Sequence, residues 1–312
     1  MTETGNMAYK GAGAVFIEDK RVRAVFTARG AKMVSLYDKA AKRELLLQCG
    51  GDTLKQGSYD TDYNSVDVCG FDDMFPSIDP FHYEGFPWKG TPLPDHGEVW
   101  GLDWLYEPSA GALAFAVHGV RLPYRLSKRI TLQWDEPVLR IEYAAENLSP
   151  FSMDFIWAAH IMLDLSGGAV LTLPGEIHQA IVTYSHTGLF GSFGDTVDLS
   201  DKLESAPENP RSYSISLPSI HMEKCYLRNP VRQGFADIRY RLDGCRYRFR
   251  FPHESVPHLG LLISNGLHIG NCLILEPCTA PFDRPDRARA YGQASTIAGN
   301  SCRRWYLEVV FN

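Results

Sequence analysis

The fold of this chain is set by a stretch that reads RLSKRITLQ at positions 125–133 and VLRIEYA at positions 138–144. Apolar and polar residues alternate along both segments, which is typical of strands with one buried face. Similar short segments, separated by Gly, Pro or charged turns, lie at 14–18, 21–27, 33–37, 112–117, 169–173, 236–242, 247–251, 259–263, 272–275 and 304–311. Because few stretches show the 3.6-residue period of a helix, the sequence predicts an all-β sandwich or barrel.

Two long segments interrupt this pattern of strands. Positions 51–100 are rich in Asp, Pro, Gly and aromatic residues. Positions 184–219 are polar and contain Pro and Ser, which predicts a second excursion with little core. Long loops on a rigid sheet commonly carry a binding site. Strands resume after each segment, so neither is a linker between domains. We predict one elaborated domain that spans 1–312.

The composition argues against several classes of partner. The 312 residues carry a formal net charge of −6, whereas a nucleic-acid surface needs a concentrated basic footprint. Seven scattered cysteines without a CxxC pair fit reduced thiols. The amino terminus is polar, and no apolar run approaches the roughly 18 residues of a membrane span. We therefore expect a cytoplasmic protein, monomeric or homodimeric, without nucleic-acid or membrane partners.

Three short motifs supply residues that are suited to proton transfer. They read PDHGEVW at 94–100, WAAH at 157–160 and LEP at 275–277. Histidine titrates near neutral pH, and a partly buried glutamate can be tuned toward it. The glutamate follows an apolar run, where an unpaired charge would be costly to bury. Spacing alone does not show that the three motifs meet, and a single histidine in a strand is more often structural.

Taken in order, the motifs resemble those of the aldose 1-epimerase, or galactose mutarotase-like, family. The segment GFDDMFP at 70–76 is similar to the family's loop ending in Phe-Pro, and HGEVW at 96–100 resembles its His-Gly motif. The second histidine motif and the carboxy-terminal glutamate motif follow. Further matches are FTARGA at 26–31, PYRL at 123–126, ENLS at 146–149, LEPCT at 275–279 and AGN at 298–300. The resemblance implies a large antiparallel β-supersandwich with its site in the concave face of a sheet.

The same resemblance implies a reaction without metal or cofactor that interconverts the α and β anomers of a free monosaccharide. Glu276 would remove the proton of the anomeric hydroxyl, and His160 would protonate the ring oxygen. His96 would hydrogen-bond to the sugar and orient it. Ring opening requires proton removal from O1 together with proton delivery to O5, and both groups reverse roles when the ring closes. The residue types therefore suit the implied chemistry.

Four further residues are candidate contacts for the sugar: Phe71, Asp73, Trp100 and Trp157. Aromatic rings stack on sugar faces, although packing in the core is the competing interpretation for each ring. Glu98, two residues after a histidine, offers a weaker alternative as a metal ligand.

Two features of the family have no evident counterpart here. The sugar-recognising aspartate is missing from MEKCY at 222–226, and SID at 77–79 follows the Phe-Pro motif where an arginine is common. A second hypothesis is therefore a non-catalytic carbohydrate-binding or regulatory protein on the same scaffold. A third is a glycosidase or lyase, which would need two carboxylates roughly 5–9 Å apart. The hypotheses differ in whether His160 and Glu276 face each other across one sugar ring.

Overall fold

Alternating strand sequences build two large antiparallel sheets. The computed structural model describes residues 2–109, 111–175, 178–206 and 209–312. In chain order, the strands are β1 (Glu3–Tyr9), β2 (Ala12–Glu18), β3 (Val22–Thr27), β4 (Met33–Asp38), β5 (Arg43–Glu44), β6 (Phe71–Met74), β7 (Phe81–His82), β8 (Pro92–Leu93), β9 (Leu105–Ser109), β10 (Ala112–His118), β11 (Tyr124–Leu132), β12 (Val138–Asn147), β13 (Met153–Phe155), β14 (Ala158–Asp164), β15 (Ala169–Thr172), β16 (Gln179–Ser185), β17 (Thr196–Asp198), β18 (Glu204–Ala206), β19 (Asn209–Ile215), β20 (His221–Leu227), β21 (Phe235–Tyr240), β22 (Arg246–Arg250), β23 (His258–Asn265), β24 (Cys272–Cys278), β25 (Ser295–Ile297) and β26 (Cys302–Phe311). The helices are α1 (Leu199–Lys202) and α2 (Pro285–Ala290), with 3₁₀ helices at Tyr63–Ser65 and Val99–Gly101.

The order of the strands defines the two sheets. Sheet I runs β1-β2-β3-β4-β6-β14-β24-β23-β20-β16-β17, with β5 added beside β4. Sheet II runs β18-β19-β15-β21-β22-β26-β12-β11-β10-β9. Two small ladders, β13-β25 and β7-β8, complete the pairing. The prediction of an all-β antiparallel sandwich is confirmed.

Large aromatic side chains fill the space between the sheets. The ring of Trp157, which precedes β14 in sheet I, lies 4.7 Å from that of Tyr143 on β12 and 5.2 Å from that of Trp305 on β26. Phe26 on β3 meets Phe115 on β10 at 5.9 Å. Burying one side chain of this size stabilises the fold by about 1.5–3 kcal/mol. One face of sheet I therefore packs into the core that it shares with sheet II.

The two predicted excursions differ in the structure. Positions 51–100 contain only β6, β7, β8 and the 3₁₀ helices, as an elaborated loop should. Positions 184–219, in contrast, contain β17, α1, β18 and β19, so the expectation of little core was wrong. The segment is polar because it forms sheet edges, yet Phe190, Leu199 and Tyr213 are buried in the main core. Its positions 207 and 208 lie outside the described residues.

Among the described residues, no helix is long and apolar enough to cross a membrane.

Candidate active site

A row of residues crosses the centre of sheet I on the face that points away from sheet II. His160 on β14 pairs with Asp72 on β6 and lies beside Glu276 on β24. Glu276 pairs with Gly260 on β23, which in turn pairs with Tyr226 on β20. Their neighbours along the strands belong to the core between the sheets, so alternation places this row on the opposite face. The row brings His160 Nε2 within 3.8 Å of Glu276 Oε1.

Gly260 makes room in the middle of this row. A Cβ atom at that position would lie 2.9 Å from the ring of Tyr226 and 3.0 Å from Glu276 Oε2. Contacts that short force neighbouring atoms to move. The missing side chain allows Tyr226 to approach Glu276 across the intervening strand.

His96 reaches the same place from the segment that follows β8. Its backbone N–H donates to the carbonyl of Ile78, and Gly97 forms a parallel bridge with Phe75. His96 and Gly97 both have positive φ, at 59° and 73°. A Cβ on Gly97 would lie 2.4 Å from Phe75 O, so only glycine fits there. The ring of His96 then lies 5.6 Å from that of His160.

The structure therefore brings the three predicted catalytic residues together. His160 and Glu276 are 3% and 0% exposed, and the side chain of His96 is 20% exposed. His96 Nδ1 lies 3.0 Å from the Asp95 carboxylate, which forms the solvent side of the cluster.

Glu276 is held by a buried lysine that the sequence did not single out. Lys224 Nζ on β20 lies 3.2 Å from Glu276 Oε2 and 2.6 Å from Asp283 Oδ1. Tyr226 Oη lies 2.6 Å from the same Asp283 atom and 3.4 Å from Glu276 Oε2. Glu276 Oε1 has no hydrogen-bond partner among the described residues. The oxygen that faces His160 therefore has unused capacity to accept a hydrogen bond among the described residues.

Burial shifts the pKa values of this pair in opposite directions. It raises the pKa of Glu276, against the opposing effect of the Lys224 ammonium. It lowers the pKa of His160 well below the usual value, and the neighbouring His96 ring and the ammonium groups of Lys224 and Lys32 add to the effect. Burial also lowers the pKa of Lys224, but Asp283 and Glu276 outweigh it and keep the lysine charged. The histidine is consequently neutral near pH 7.

Tyr63 enters the site from a loop, residues 55–67, that closes on itself. The backbone N–H of Lys55 donates to the Asp67 carboxylate at 2.7 Å, and the N–H of Asp67 donates to Lys55 O at 3.0 Å. Tyr63 is the only buried residue of this loop. Its ring stacks on His96 at 3.7 Å and meets Trp100 edge-on at 4.9 Å. The loop thus places one aromatic side chain in the site.

Of the predicted sugar contacts, only Trp100 lies near this cluster, through its contact with Tyr63. Phe71, Asp73 and Trp157 point to the other side of sheet I, which corrects the expectation that they line the pocket. Asp73 Oδ2 accepts from Lys128 Nζ at 2.7 Å and its Oδ1 accepts from Trp157 Nε1 at 3.0 Å. All three side chains are buried between the sheets. The adjacent Asp72 is the one that faces His160.

Glu98 turns away from the histidines. Its Oε1 accepts from the Tyr59 hydroxyl at 3.0 Å and from the backbone N–H of Arg121 at 2.8 Å. Within the described ranges, no three His, Cys, Asp or Glu side chains are grouped so that they could hold a metal ion. Glu98 therefore belongs to the packing beneath the loop of residues 55–67.

Lys224, Tyr226 and Tyr63 were missed by the sequence reasoning. A signal for the first two was present, because alternation in MEKCY puts both on one face and a lysine within a strand of buried residues needs a carboxylate partner. Tyr63 carried no such signal, since its place depends on the path of a long loop.

Comparison with known proteins supports this description at the level of fold. No protein-family model matches the sequence, and no curated protein matches it. Solved structures do match. They include galactose mutarotase-like proteins from Lactobacillus casei ATCC 334 (18% identity, TM-score 0.71, 96% of this chain and 100% of the other) and Clostridium acetobutylicum (14%, 0.69, 99% and 98%), and a galactose mutarotase-related enzyme from Lactobacillus acidophilus (12%, 0.69, 96% and 97%).

The fold of this chain is thus a β-sandwich similar to that of the galactose mutarotase-like proteins. The resemblance predicted from the motifs is confirmed in these terms: the structural neighbours of this chain include galactose mutarotase-like proteins. Because each of these proteins is less than one-fifth identical in sequence to this chain, the comparison shows a similarity of fold alone.

Proposed function

We propose that this protein is an aldose 1-epimerase-like enzyme that interconverts the α and β anomers of a free monosaccharide. The observation that carries the proposal is the placement of His160 Nε2 3.8 Å from the unpartnered Oε1 of Glu276, with His96 beside them. Two groups that can each give or take a proton lie on one face, close enough to reach O1 and O5 of the same ring.

In the proposed reaction, the Glu276–His160 pair carries one transferable proton, which rests on Nε2 of the otherwise neutral His160 when the sugar reacts. Glu276 takes the proton of the O1 hydroxyl while His160 gives the Nε2 proton to the ring oxygen. The C1–O5 bond breaks and C1 becomes a carbonyl carbon. After rotation about the C1–C2 bond, O5 attacks the other face of the carbonyl and both protons return. His96 hydrogen-bonds to the sugar and holds it in place. No atom is gained or lost over the cycle.

The pKa shifts of the pair suit a reaction that runs in both directions. In water, a glutamate holds a proton much less tightly than a histidine. Burial raises the pKa of Glu276 and lowers that of His160, which moves the two values toward each other. Ring opening takes a proton from His160 and gives one to Glu276, so both shifts make this step less costly than it would be between the same groups in water.

The charges around the pair favour a neutral sugar. The carboxylates of Asp72 and Asp283 are matched by the ammonium groups of Lys32 and Lys224, and the Glu276–His160 pair with its one proton has no net charge. A phosphate or carboxylate group on the sugar would add a negative charge that no further ammonium group among these buried residues matches. The proposed substrate class is therefore the free, uncharged aldoses.

The test is NMR saturation exchange between the anomeric protons of a panel of free aldoses, with wild type and Glu276→Gln. Wild type should accelerate exchange for at least one sugar, and Glu276→Gln should lower the rate roughly 10²–10⁴-fold, the usual contribution of a general acid or base. Glu308→Gln removes a buried carboxylate of sheet II and is the matched control, with an unchanged rate. Circular dichroism checks that each variant is folded.

The second candidate function is that of a non-catalytic carbohydrate-binding protein. It is favoured by the position of Tyr63, whose ring already lies against His96 where a sugar would approach. If a sugar binds to wild type and its anomeric exchange is not accelerated, this function replaces the first. An unchanged rate in Glu276→Gln would instead remove Glu276 from the mechanism of an active enzyme.

A further inference from the structure

The hydroxyl of Tyr63 lies between two groups that can accept its proton. Its Oη atom is 3.0 Å from Asp72 Oδ2 and 3.3 Å from His160 Nδ1. The same Asp72 oxygen accepts from Lys32 Nζ at 3.0 Å. A carboxylate paired with an ammonium group is ionised and can only accept. The single proton of the Tyr63 hydroxyl therefore points to Asp72.

The orientation of the Tyr63 hydroxyl determines which atom donates in the hydrogen bond between Tyr63 and His160. Since Tyr63 Oη donates to Asp72, it can only accept from the imidazole, and Nδ1 of His160 must carry the hydrogen. A neutral imidazole has one ring hydrogen, so Nε2 is left with its lone pair. Nε2 is the nitrogen that lies 3.8 Å from Glu276 Oε1, on the side where the substrate would react.

Charged and titratable groups face His160 from every element packed against it. They are Tyr63 of the loop of residues 55–67, Lys32 ahead of β4, Asp72 of β6, His96 of the segment after β8, Lys224 of β20 and Glu276 of β24. Only Tyr63 forms a hydrogen bond to the Nδ1 atom among the described residues. The hydrogen bond that favours the Nδ1–H tautomer of His160 is consequently this one contact, supported by the carboxylate behind it.

We propose that Tyr63 and Asp72 are positioning residues that keep the ring hydrogen of neutral His160 on Nδ1, so that Nε2 is the nitrogen that exchanges a proton with the substrate. The chain His160–Tyr63–Asp72 also stabilises the imidazolium that forms when Nε2 takes up a proton, because Nδ1–H then donates to an oxygen polarised by a carboxylate. The part of the proposal that concerns catalysis rests on the proposed function; the tautomer does not.

The first test reads the tautomer directly, without any sugar. In protein labelled with ¹⁵N-histidine, long-range proton–nitrogen correlation spectra distinguish a protonated from an unprotonated ring nitrogen, and His160→Gln identifies the signals of His160. Wild type at neutral pH should show hydrogen on Nδ1. Tyr63→Phe keeps the ring that stacks on His96 but removes the acceptor, and should shift the population toward the Nε2–H form. A wild-type spectrum with hydrogen on Nε2 overturns the proposal.

The second test uses the rate of anomer exchange. Tyr63→Phe should lower kcat roughly 10- to 100-fold, the equivalent of one hydrogen bond to a charged group, with a smaller change in KM. Tyr59→Phe is the matched control: it lies in the same loop, donates to Glu98 rather than to the histidine, and should leave both the rate and the His160 spectrum unchanged. A kcat for Tyr63→Phe equal to that of wild type refutes the positioning role.

The two tests distinguish a failure of this proposal from a failure of the proposed function. If wild type does not accelerate anomer exchange but shows Nδ1–H on His160, the tautomer stands and the enzymatic function fails. If wild type is active and shows Nε2–H, the function stands and the role of Tyr63 and Asp72 fails.

Discussion

Replacing Asp73 by asparagine tests whether this residue stabilises the sandwich or contacts the sugar. Its carboxylate is 0% exposed and pairs with Lys128 Nζ, whose side chain is 2% exposed. Removing one partner of a buried ion pair costs about 3–5 kcal/mol, because the remaining charge loses its partner. Lys128 keeps the carbonyl of Ala31 at 2.8 Å, and the asparagine oxygen can still accept from Trp157. We therefore expect the free energy of unfolding to fall by about 3 kcal/mol, which is the lower end of this range.

Equilibrium unfolding in urea, followed by tryptophan fluorescence, measures this loss. The double variant Asp73→Asn with Lys128→Met removes both charges and should recover to within about 1 kcal/mol of wild type. Under native conditions, the single variant should bind sugar as wild type does. A loss of stability below about 1 kcal/mol would contradict the calculation. Weaker sugar binding by a stable Asp73→Asn protein would restore Asp73 as a sugar contact.

Two further predictions follow from the pKa shifts. Burial lowers the pKa of His258 to about 4, below its value in the unfolded chain, so the folded protein binds this proton less readily. The free energy of unfolding should therefore fall by about 3 kcal/mol as pH drops from about 6.5 to about 4, and urea unfolding of His258→Gln should show a flatter dependence. Lys224→Met removes the cation that favours ionised Glu276, which raises the pKa of Glu276 further. The acidic limb of the pH profile of kcat/KM should then move to higher pH, and an unmoved limb would show that Lys224 does not tune the base.

The sequence predicted the fold well because the strands of sheet II carry clear alternation. Along β11 and β12, alternate residues such as Leu126 and Ile141 enter the core while their neighbours are exposed or half-buried. The candidate catalytic residues came from the order of motifs instead. His160 and Glu276 are far apart in sequence, and only the antiparallel pairing of β14 with β24 places them side by side.

The same reasoning failed for the sugar contacts because the central strands of sheet I are buried on both faces. All seven residues of β24 are buried, and so are six of the seven in β14. With loops over one face and sheet II over the other, alternation does not show which side a residue occupies. Asp72 and Asp73 are adjacent and chemically identical, yet one faces His160 and the other Lys128. A one-residue choice of register decided between them.

The pairing of Lys55 with Asp67 has a consequence for how such a site can diversify. Because the two ends of the loop are joined to each other, residues 56–66 form a cassette whose length and sequence can change while the strands of sheet I keep their register. Doubling the length of a loop costs only about 0.6 kcal/mol in closure entropy. Exchanging this cassette around a retained Tyr63 is therefore an inexpensive route, in evolution or in engineering, to a different occupant above the pair of proton-transfer groups.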